Sequence, residues 1–154
     1  EIETTRDIAR QLLRHRSFTF QEISQRYANP DQAFDDMFEK REARMQDTKN
    51  RQNSIPVKHD ESINYIWESY QEVIIERCKK AYAWALEAGI AKEQARAVLP
   101  EGLTMSKMYV NGTLRSWIHY VELRSAHGTQ QEHMEIAKAV GDVIYKIFPL
   151  DDII

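Results

Sequence analysis

Side chains that could bind an anionic ligand are concentrated near the N-terminus, at Arg14, His15 and Arg16. The apolar residues before them recur at helical spacing and predict a helix over Thr4 to Leu13. Gln11, Arg14 and His15 stand at i, i+3 and i+4, so they share one face of that helix. Cations in the last turn of a helix also interact favourably with its dipole. The cluster therefore either binds a ligand or only complements a solvated helix end.

The segment that follows alternates between two kinds of side chain. If residues 21–27 are extended, Glu22, Ser24 and Arg26 point to one side of a strand and the residues between them point to the other. One side then carries a carboxylate, a hydroxyl and a guanidinium, a set that suits a nucleotide. Alternating polar residues are equally typical of the solvated face of a sheet, so the spacing alone leaves both interpretations open.

Two arginines on a later helix point in different directions. Residues 114–125 are predicted to be helical, with Thr113 as the N-cap, and Arg115 and His119 lie one turn apart. Arg124 follows Arg115 by nine residues, which is about half a rotation of a helix. We therefore expect Arg115 and Arg124 to contact different ligands or different subunits.

The elements that must position these residues are mainly helices. Helical spacing predicts helices over 31–37, 60–88, 91–99 and 129–147, and residues 103–110 predict a strand. With the strand-like residues 21–27, they indicate an α+β fold that is mainly helical with a small antiparallel sheet. The long helix at 60–88 carries a stripe of Trp, Tyr and Ile that is expected in the core or at a subunit interface.

Residues 38–58 have a different character from the rest of the chain. They are rich in Lys and Arg, poor in apolar residues and interrupted by Pro56, which predicts a long, mobile, basic loop. Such a loop is either a solvated connector or a flap that closes over an anionic ligand.

The composition restricts the class of protein. The 154 residues are 42% hydrophobic and 29% charged, as in one globular domain spanning residues 1–154. A net charge of −3 argues against general binding to nucleic acid or to a membrane surface. Cys78 is the single cysteine and is expected to be a buried structural thiol in a cytoplasmic protein. No metal site is expected, because neither Cys78 nor the histidines show the spacing of metal ligands.

Three segments resemble one known family. Arg14-His15-Arg16, seven residues and then Ser24 resembles the signature of the flavin-dependent thymidylate synthases. The segments Arg96-Ala97-Val98-Leu99-Pro100 and Arg115-Ser116-x-x-His119-Tyr120-x-x-x-Arg124 are similar to two further blocks of that family. Thr129-Gln130-Gln131-Glu132 departs mildly from the family's Ala-Gln-x-Glu. The resemblance extends from Asp7 to Phe148.

The resemblance implies an activity and a set of ligands. It implies reductive methylation of deoxyuridylate (dUMP) to thymidylate by a methyltransferase. The carbon would come from methylenetetrahydrofolate and the hydride from FAD reduced by NADPH, in a homotetramer whose sites are shared between subunits. It assigns dUMP binding to Gln11, Glu22, Ser24, Gln25, Arg26, Arg96 and Arg124. It assigns FAD binding to Arg14, His15, Arg16, Ser17, Arg115 and His119. Ser24 and Arg124 are expected to serve the reaction itself, Ser24 by orienting the substrate and Arg124 by polarising the uracil ring.

Two other interpretations stay open at this point. The family usually has a further region before the Arg-His-Arg helix, and this chain starts at Glu1 without an initiator Met. The sequence therefore suggests an N-terminally truncated catalytic domain, and a catalytically inactive nucleotide-binding fragment is an alternative. A helical interaction protein that only shares the motif is the other.

Overall fold

The computed structural model describes residues 1–26, 36–58 and 60–149. The strands are β1 (Ile2–Thr5), β2 (Thr19–Glu22), β3 (Arg44–Gln46), β4 (Ser54–Pro56) and β5 (Met105–Asn111). The helices are α1 (Arg6–Leu12), α2 (Glu61–Glu87), α3 (Lys92–Ala95, followed by a 3-10 turn at Arg96–Val98), α4 (Leu114–Arg124) and α5 (Gln131–Ile147). The α+β class, mainly helical with a small antiparallel sheet, is confirmed.

A three-stranded antiparallel sheet has β5 at its centre, between β1 and β2. Ile2 is paired with Met108 in one ladder, and Phe20 is paired with Val110 in the other. The prediction of a helix from Thr4 is wrong at its start, because Thr4 and Thr5 belong to β1. β-Branched side chains fit the pleated surface of a sheet well, and here the partner strand β5 decides the local structure.

The main core lies where the sheet packs on α4 and α5. Its buried members are Ala9, Leu12, Phe18, Met108, Tyr120, Val121, Ala137 and Ile144. Helices α4 and α5 were predicted correctly, but the residues they bury are not simply their large apolar ones. Leu114, Val143 and Ile147 are exposed, whereas Tyr120 and the small residue Ala137 fill the interface instead.

Helix α2 has the boundaries that the sequence predicts. The Asp60 side chain caps its start by accepting a hydrogen bond of 3.0 Å from the Ser62 amide, and Gly89 ends it with φ of 78°. Its aromatic and aliphatic stripe is exposed in this chain at Tyr65, Ile66, Trp67, Tyr70, Val73, Ile74 and Trp84. Cys78 is only half-buried, and desolvation raises the pKa of its thiol. Among the described residues, no helix combines the length and the apolar character needed to cross a bilayer.

Residues 38–58 contain a β-hairpin of β3 and β4 that the sequence did not predict. The Asp47 carboxylate builds its loop, since it accepts hydrogen bonds from the Lys49 amide at 2.8 Å and from Asn53 Nδ2 at 2.9 Å. These local bonds hold together a hairpin in which no residue from 44 to 56 is buried. The predicted helix at 31–37 lies largely outside the described residues.

Arg41 anchors the chain just before the hairpin. Its Nη1 donates to Asp7 Oδ2 at 2.9 Å and its Nη2 donates to Thr5 Oγ1 at 2.6 Å, at the start of α1. Its backbone amide donates to Gln71 Oε1 at 2.8 Å on α2, where Gln71 is buried. Arg41 therefore holds the hairpin, α1 and α2 in a fixed relation.

Candidate functional site

The first group of predicted site residues meets where α1 and α4 end. Arg124 Nε donates a hydrogen bond of 3.1 Å to His15 Nε2, so this nitrogen of the imidazole carries no proton. Desolvation and the charge of Arg124 both lower the pKa of His15, which keeps the ring neutral. No hydrogen bond within the described residues uses the two terminal nitrogens of Arg124. A neutral histidine thus orients a guanidinium whose terminal nitrogens can donate to a ligand.

His15 is itself held by aromatic rings. Its ring meets Tyr120 edge to face at 5.1 Å between centroids and Phe18 at 6.2 Å. The sequence predicts His15 in the last turn of the helix. Helix α1 instead ends at Leu12, and His15 lies in the turn that follows it. The turn folds back because the amide of His15 bonds to Leu12 O at 3.0 Å.

A buried histidine adjoins this group and was missed by sequence reasoning. His133 is fully buried, its Nδ1 lies 3.2 Å from Gln11 Oε1, and Gln11 Nε2 donates to Gln130 Oε1 at 2.7 Å. Desolvation, with smaller contributions from Arg124 and His15, lowers the pKa of His133 to about 4. The one available signal was spacing, because His133 follows Gln130 by three residues and shares its helix face.

A second group lies at the end of β2. Glu22 Oε1 accepts a hydrogen bond of 2.5 Å from Ser106 Oγ and lies 3.6 Å from Arg6 Nη1 at the start of α1. The prediction that residues 21–27 are extended is wrong beyond Ile23, whose amide still bonds to Lys107 O at 2.9 Å. Ser24 instead lies in a turn and accepts a bond of 3.4 Å from the Arg26 amide, a local bond that competes with the ladder. Tyr27 lies outside the described residues.

Two arginines predicted to bind dUMP, Arg26 and Arg96, converge on one residue of α3. Arg26 Nη2 pairs with Glu93 Oε2 at 3.0 Å, and Arg96 Nε donates to Glu93 O at 3.3 Å. Beside Arg26, Gln25 is buried and its Nε2 has no hydrogen-bond partner among the described residues. The turn after β2 therefore brings the cationic donor Arg26 to α3 and leaves the neutral donor of Gln25 buried beside it.

A third group brings together residues predicted to bind the flavin. Ser17, Arg115 and His119 line one depression of about 670 Å³ on the outer face of α4. Arg115 is exposed, and so are Arg14 and Arg16 in the turn after α1. None of these three arginines forms a side-chain ion pair within the part of the chain that the structure describes. Uncompensated guanidinium groups suit a ligand that carries phosphate.

The β3–β4 hairpin lies next to the loop that joins α4 and α5. Gly128, with φ of 98°, lies in the loop between α4 and α5, and a Cβ on it would be 3.4 Å from Asn50 Nδ2 at the hairpin tip. A depression of about 550 Å³ lies between the hairpin and α2, and its lining includes Arg51, Trp67 and Gln130. The amide of Gln130 therefore contacts Gln11, the partner of the buried histidine, and borders a cleft large enough for a small ligand.

The groups around Arg124 and Glu22 lie at opposite ends of α1. Glu22 is close to Arg6, the first residue of that helix, whereas Gln11 is in its last turn. Seven residues of helix separate the ends by about 10 Å. One chain thus presents the residues predicted to bind dUMP as two separate half-sites.

Comparison with known proteins identifies the family. The sequence profile of the thymidylate synthase complementing protein family matches residues 1–150. The chain belongs to this family. Its relatives include a probable flavin-dependent thymidylate synthase of Paramecium bursaria Chlorella virus 1, which is 46% identical over 149 residues. A flavin-dependent thymidylate synthase of Synechocystis is 47% identical over 149 residues.

The extent of these matches differs between the chains compared. The alignment includes 97% of this chain but 66% of each of these two relatives, so the chain spans slightly less than two thirds of their length. The crystal structure of PolB, a UMP/dUMP methylase from Streptomyces cacaoi bound with 5-Br UMP, superposes with a TM-score of 0.77 at 25% identity. That match includes 96% of this chain and 68% of the methylase chain, and it agrees with the α+β fold described above.

Proposed function

We propose that this member of the thymidylate synthase complementing protein family carries the dUMP-binding and flavin-binding residues of a flavin-dependent thymidylate synthase. The activity would be the reductive methylation of dUMP to thymidylate. Methylenetetrahydrofolate would supply the carbon, and NADPH would supply the reducing equivalents. The observation that carries the proposal is the orientation of Arg124 by the neutral ring of His15, directly beside Gln11.

Arg124 is the residue expected to act on the uracil ring. Its Nε is occupied by His15, so its terminal nitrogens are the donors left for a ligand carbonyl. Donors fixed in advance stabilise negative charge that develops on a carbonyl oxygen, and they do so without reorganisation during the reaction. A neutral His15 can serve as an acceptor for Arg124, which an imidazolium could not do.

Arg26 and Arg96 are expected to bind the phosphate of the nucleotide. Glu93 holds Arg26 close to Arg96, and a phosphate dianion would compete with the Glu93 carboxylate for Arg26. The hydroxyl of Ser24 already fixes the turn through the Arg26 amide. Ser24 is therefore proposed to orient the substrate rather than to attack it.

The flavin site is proposed on the outer face of α4 and the turn after α1. Ser17, Arg115 and His119 share one depression there, and Arg14 and Arg16 add exposed positive charge suited to the diphosphate of FAD. Bound FAD would supply the hydride chemistry, while these residues would hold the cofactor in place.

A homotetramer with shared sites is proposed on two observations. The exposed stripe of α2 includes Tyr70, which is 63% exposed, and Trp84, which is also 63% exposed, and such a surface favours burial by another copy. The two half-sites at opposite ends of α1 would be completed by residues of another copy. Light scattering should give the mass of four chains, and Tyr70→Asp combined with Trp84→Asp should reduce it, while Lys80→Asp on a polar part of α2 should leave it unchanged.

The activity is tested in two steps with the purified chain. Its visible absorption spectrum is recorded with added FAD and then with added dUMP, and a retained flavin band that shifts with dUMP is expected. Thymidylate formation is then measured with methylenetetrahydrofolate and NADPH. Absence of dUMP binding in a folded protein, measured by calorimetry, would refute the proposal.

A further inference from the structure

A chain of three side chains leads from the protein interior to the cleft beside the hairpin. It starts at His133, which is fully buried, continues through Gln11 and ends at Gln130. Each link is within hydrogen-bonding distance, at 3.2 Å from His133 Nδ1 to Gln11 Oε1 and 2.7 Å from Gln11 Nε2 to Gln130 Oε1. The resemblance assigns a role to Gln11 alone among the three.

The polarity of this chain is fixed at each link. An amide oxygen only accepts, so His133 must donate from Nδ1 to Gln11 Oε1. The Gln11 NH₂ group then donates to Gln130 Oε1. The NH₂ group of Gln130 is therefore the donor at the outer end of this chain of side chains. The opposite polarity would require the other tautomer of His133 and both amides rotated together.

The surroundings of His133 favour a neutral ring with one defined tautomer. Its neighbours with charge or titratable groups are Arg124 and His15, and the Tyr120 ring packs on it at 5.7 Å. His133 Nε2 is buried and has no hydrogen-bond partner among the described residues. Within the described part of the chain, the ring therefore has one polar contact, the one to Gln11.

We propose that His133 is a positioning residue that acts through Gln11 to present the NH₂ group of Gln130 as a donor to the bound nucleotide. Gln130 would then be a further nucleotide-binding residue, an inference that rests on the function proposed above. Gln130 lines the cleft that also contains Arg51 and Trp67. Because Arg51 is part of the same lining, the ligand would meet donors on this side, which suits a phosphate oxygen or a ring carbonyl oxygen.

The test measures dUMP affinity by calorimetry for the unchanged protein and two variants at position 133. In His133→Leu the donor is lost, and the dissociation constant should rise about tenfold, the effect of about one hydrogen bond. In His133→Asn an amide nitrogen can take the place of Nδ1, and the affinity should stay within about twofold of the unchanged protein. Equal losses in the two variants, or no loss in His133→Leu, would overturn the inference.

Variants at the outer end of the chain test the same inference if His133→Leu fails to fold. Gln130→Leu should weaken dUMP binding about tenfold. The matched control is Gln131→Leu, because the Gln131 side chain bonds to Glu135 one turn along α5, and this variant should bind dUMP normally. Normal binding by Gln130→Leu would refute this inference alone, whereas no binding by the unchanged protein would refute the proposed function.

Two further measurements separate the remaining possibilities. Nitrogen-15 NMR of the unchanged protein at neutral pH should show His133 protonated at Nδ1, and protonation at Nε2 would overturn the proposed polarity. Deoxyuridine, which lacks the phosphate, identifies the acceptor that Gln130 contacts. A loss in Gln130→Leu that persists with deoxyuridine indicates a ring or sugar oxygen, and a loss that occurs only with dUMP indicates the phosphate.

Discussion

Mild acid should destabilise this protein through His133. The pKa of an unfolded histidine is 6.5, and burial lowers the pKa of His133 in the folded chain to about 4. The unfolded state therefore binds the proton more readily, so the stability is complete above pH 6.5 and is lost as the pH falls toward 4. Between pH 7 and pH 5, the linkage relation gives a loss of about 2 kcal/mol in the free energy of unfolding.

Urea unfolding at pH 7 and pH 5, followed by circular dichroism, measures this loss. His15, whose pKa is also lowered, contributes with the same sign, and carboxylates titrate mainly below this window. His133→Asn should remove most of the difference between the two pH values, while His127→Asn, at an exposed position, should retain it. An unchanged free energy of unfolding between pH 7 and pH 5 in the original protein would show that His133 is not the buried neutral group described here.

Three further substitutions test the site and the core. Arg124→Ala should abolish thymidylate formation while leaving the circular dichroism spectrum unchanged, and retained turnover would contradict the role assigned to Arg124. Arg26→Ala should raise the dissociation constant of dUMP about tenfold to a hundredfold, whereas Arg10→Ala, which removes a surface pair with Glu101, should not. Gly112→Ala should destabilise the fold by about 1–3 kcal/mol in urea unfolding, because its Cβ would lie 2.6 Å from Phe18 Cε1, and wild-type stability would show that the ring can move aside.

The parts of the fold that depend on local sequence were predictable. The cap at Asp60 and the positive φ of Gly89 depend on neighbouring residues in the chain. The boundaries of α2 could therefore be predicted from the local sequence. The start of α1 could not be predicted in this way, because Thr4 and Thr5 pair with β5, a strand that lies about 100 residues away in sequence. The hairpin at 44–56 was missed for a related reason, since the hydrogen bonds of Asp47 rather than an apolar pattern hold it together.

The candidate site shows the same division between local and distant information. The motif identified Arg124, His15 and Gln11, and the fold brings them together as residues of one group. The motif could not show that His15 accepts a bond from Arg124, because this contact joins the turn after α1 to the end of α4, which are remote in sequence. His133 was not predicted as a site residue, because a histidine on an apolar helix face is usually a core residue. Its contact with Gln11 distinguishes it from an ordinary core histidine.

The order of strands in the sheet also determines when the sheet can form during synthesis. β1 and β2 do not pair with each other, since both bond to β5, which is made after the long helix. At about 5–20 residues per second, a ribosome needs roughly 5–20 s to extend the chain from β1 to β5. During that interval the two N-terminal strands keep unpaired backbone groups that another nascent chain could bind. We therefore expect the three-stranded sheet to form only after residue 111 has left the ribosome.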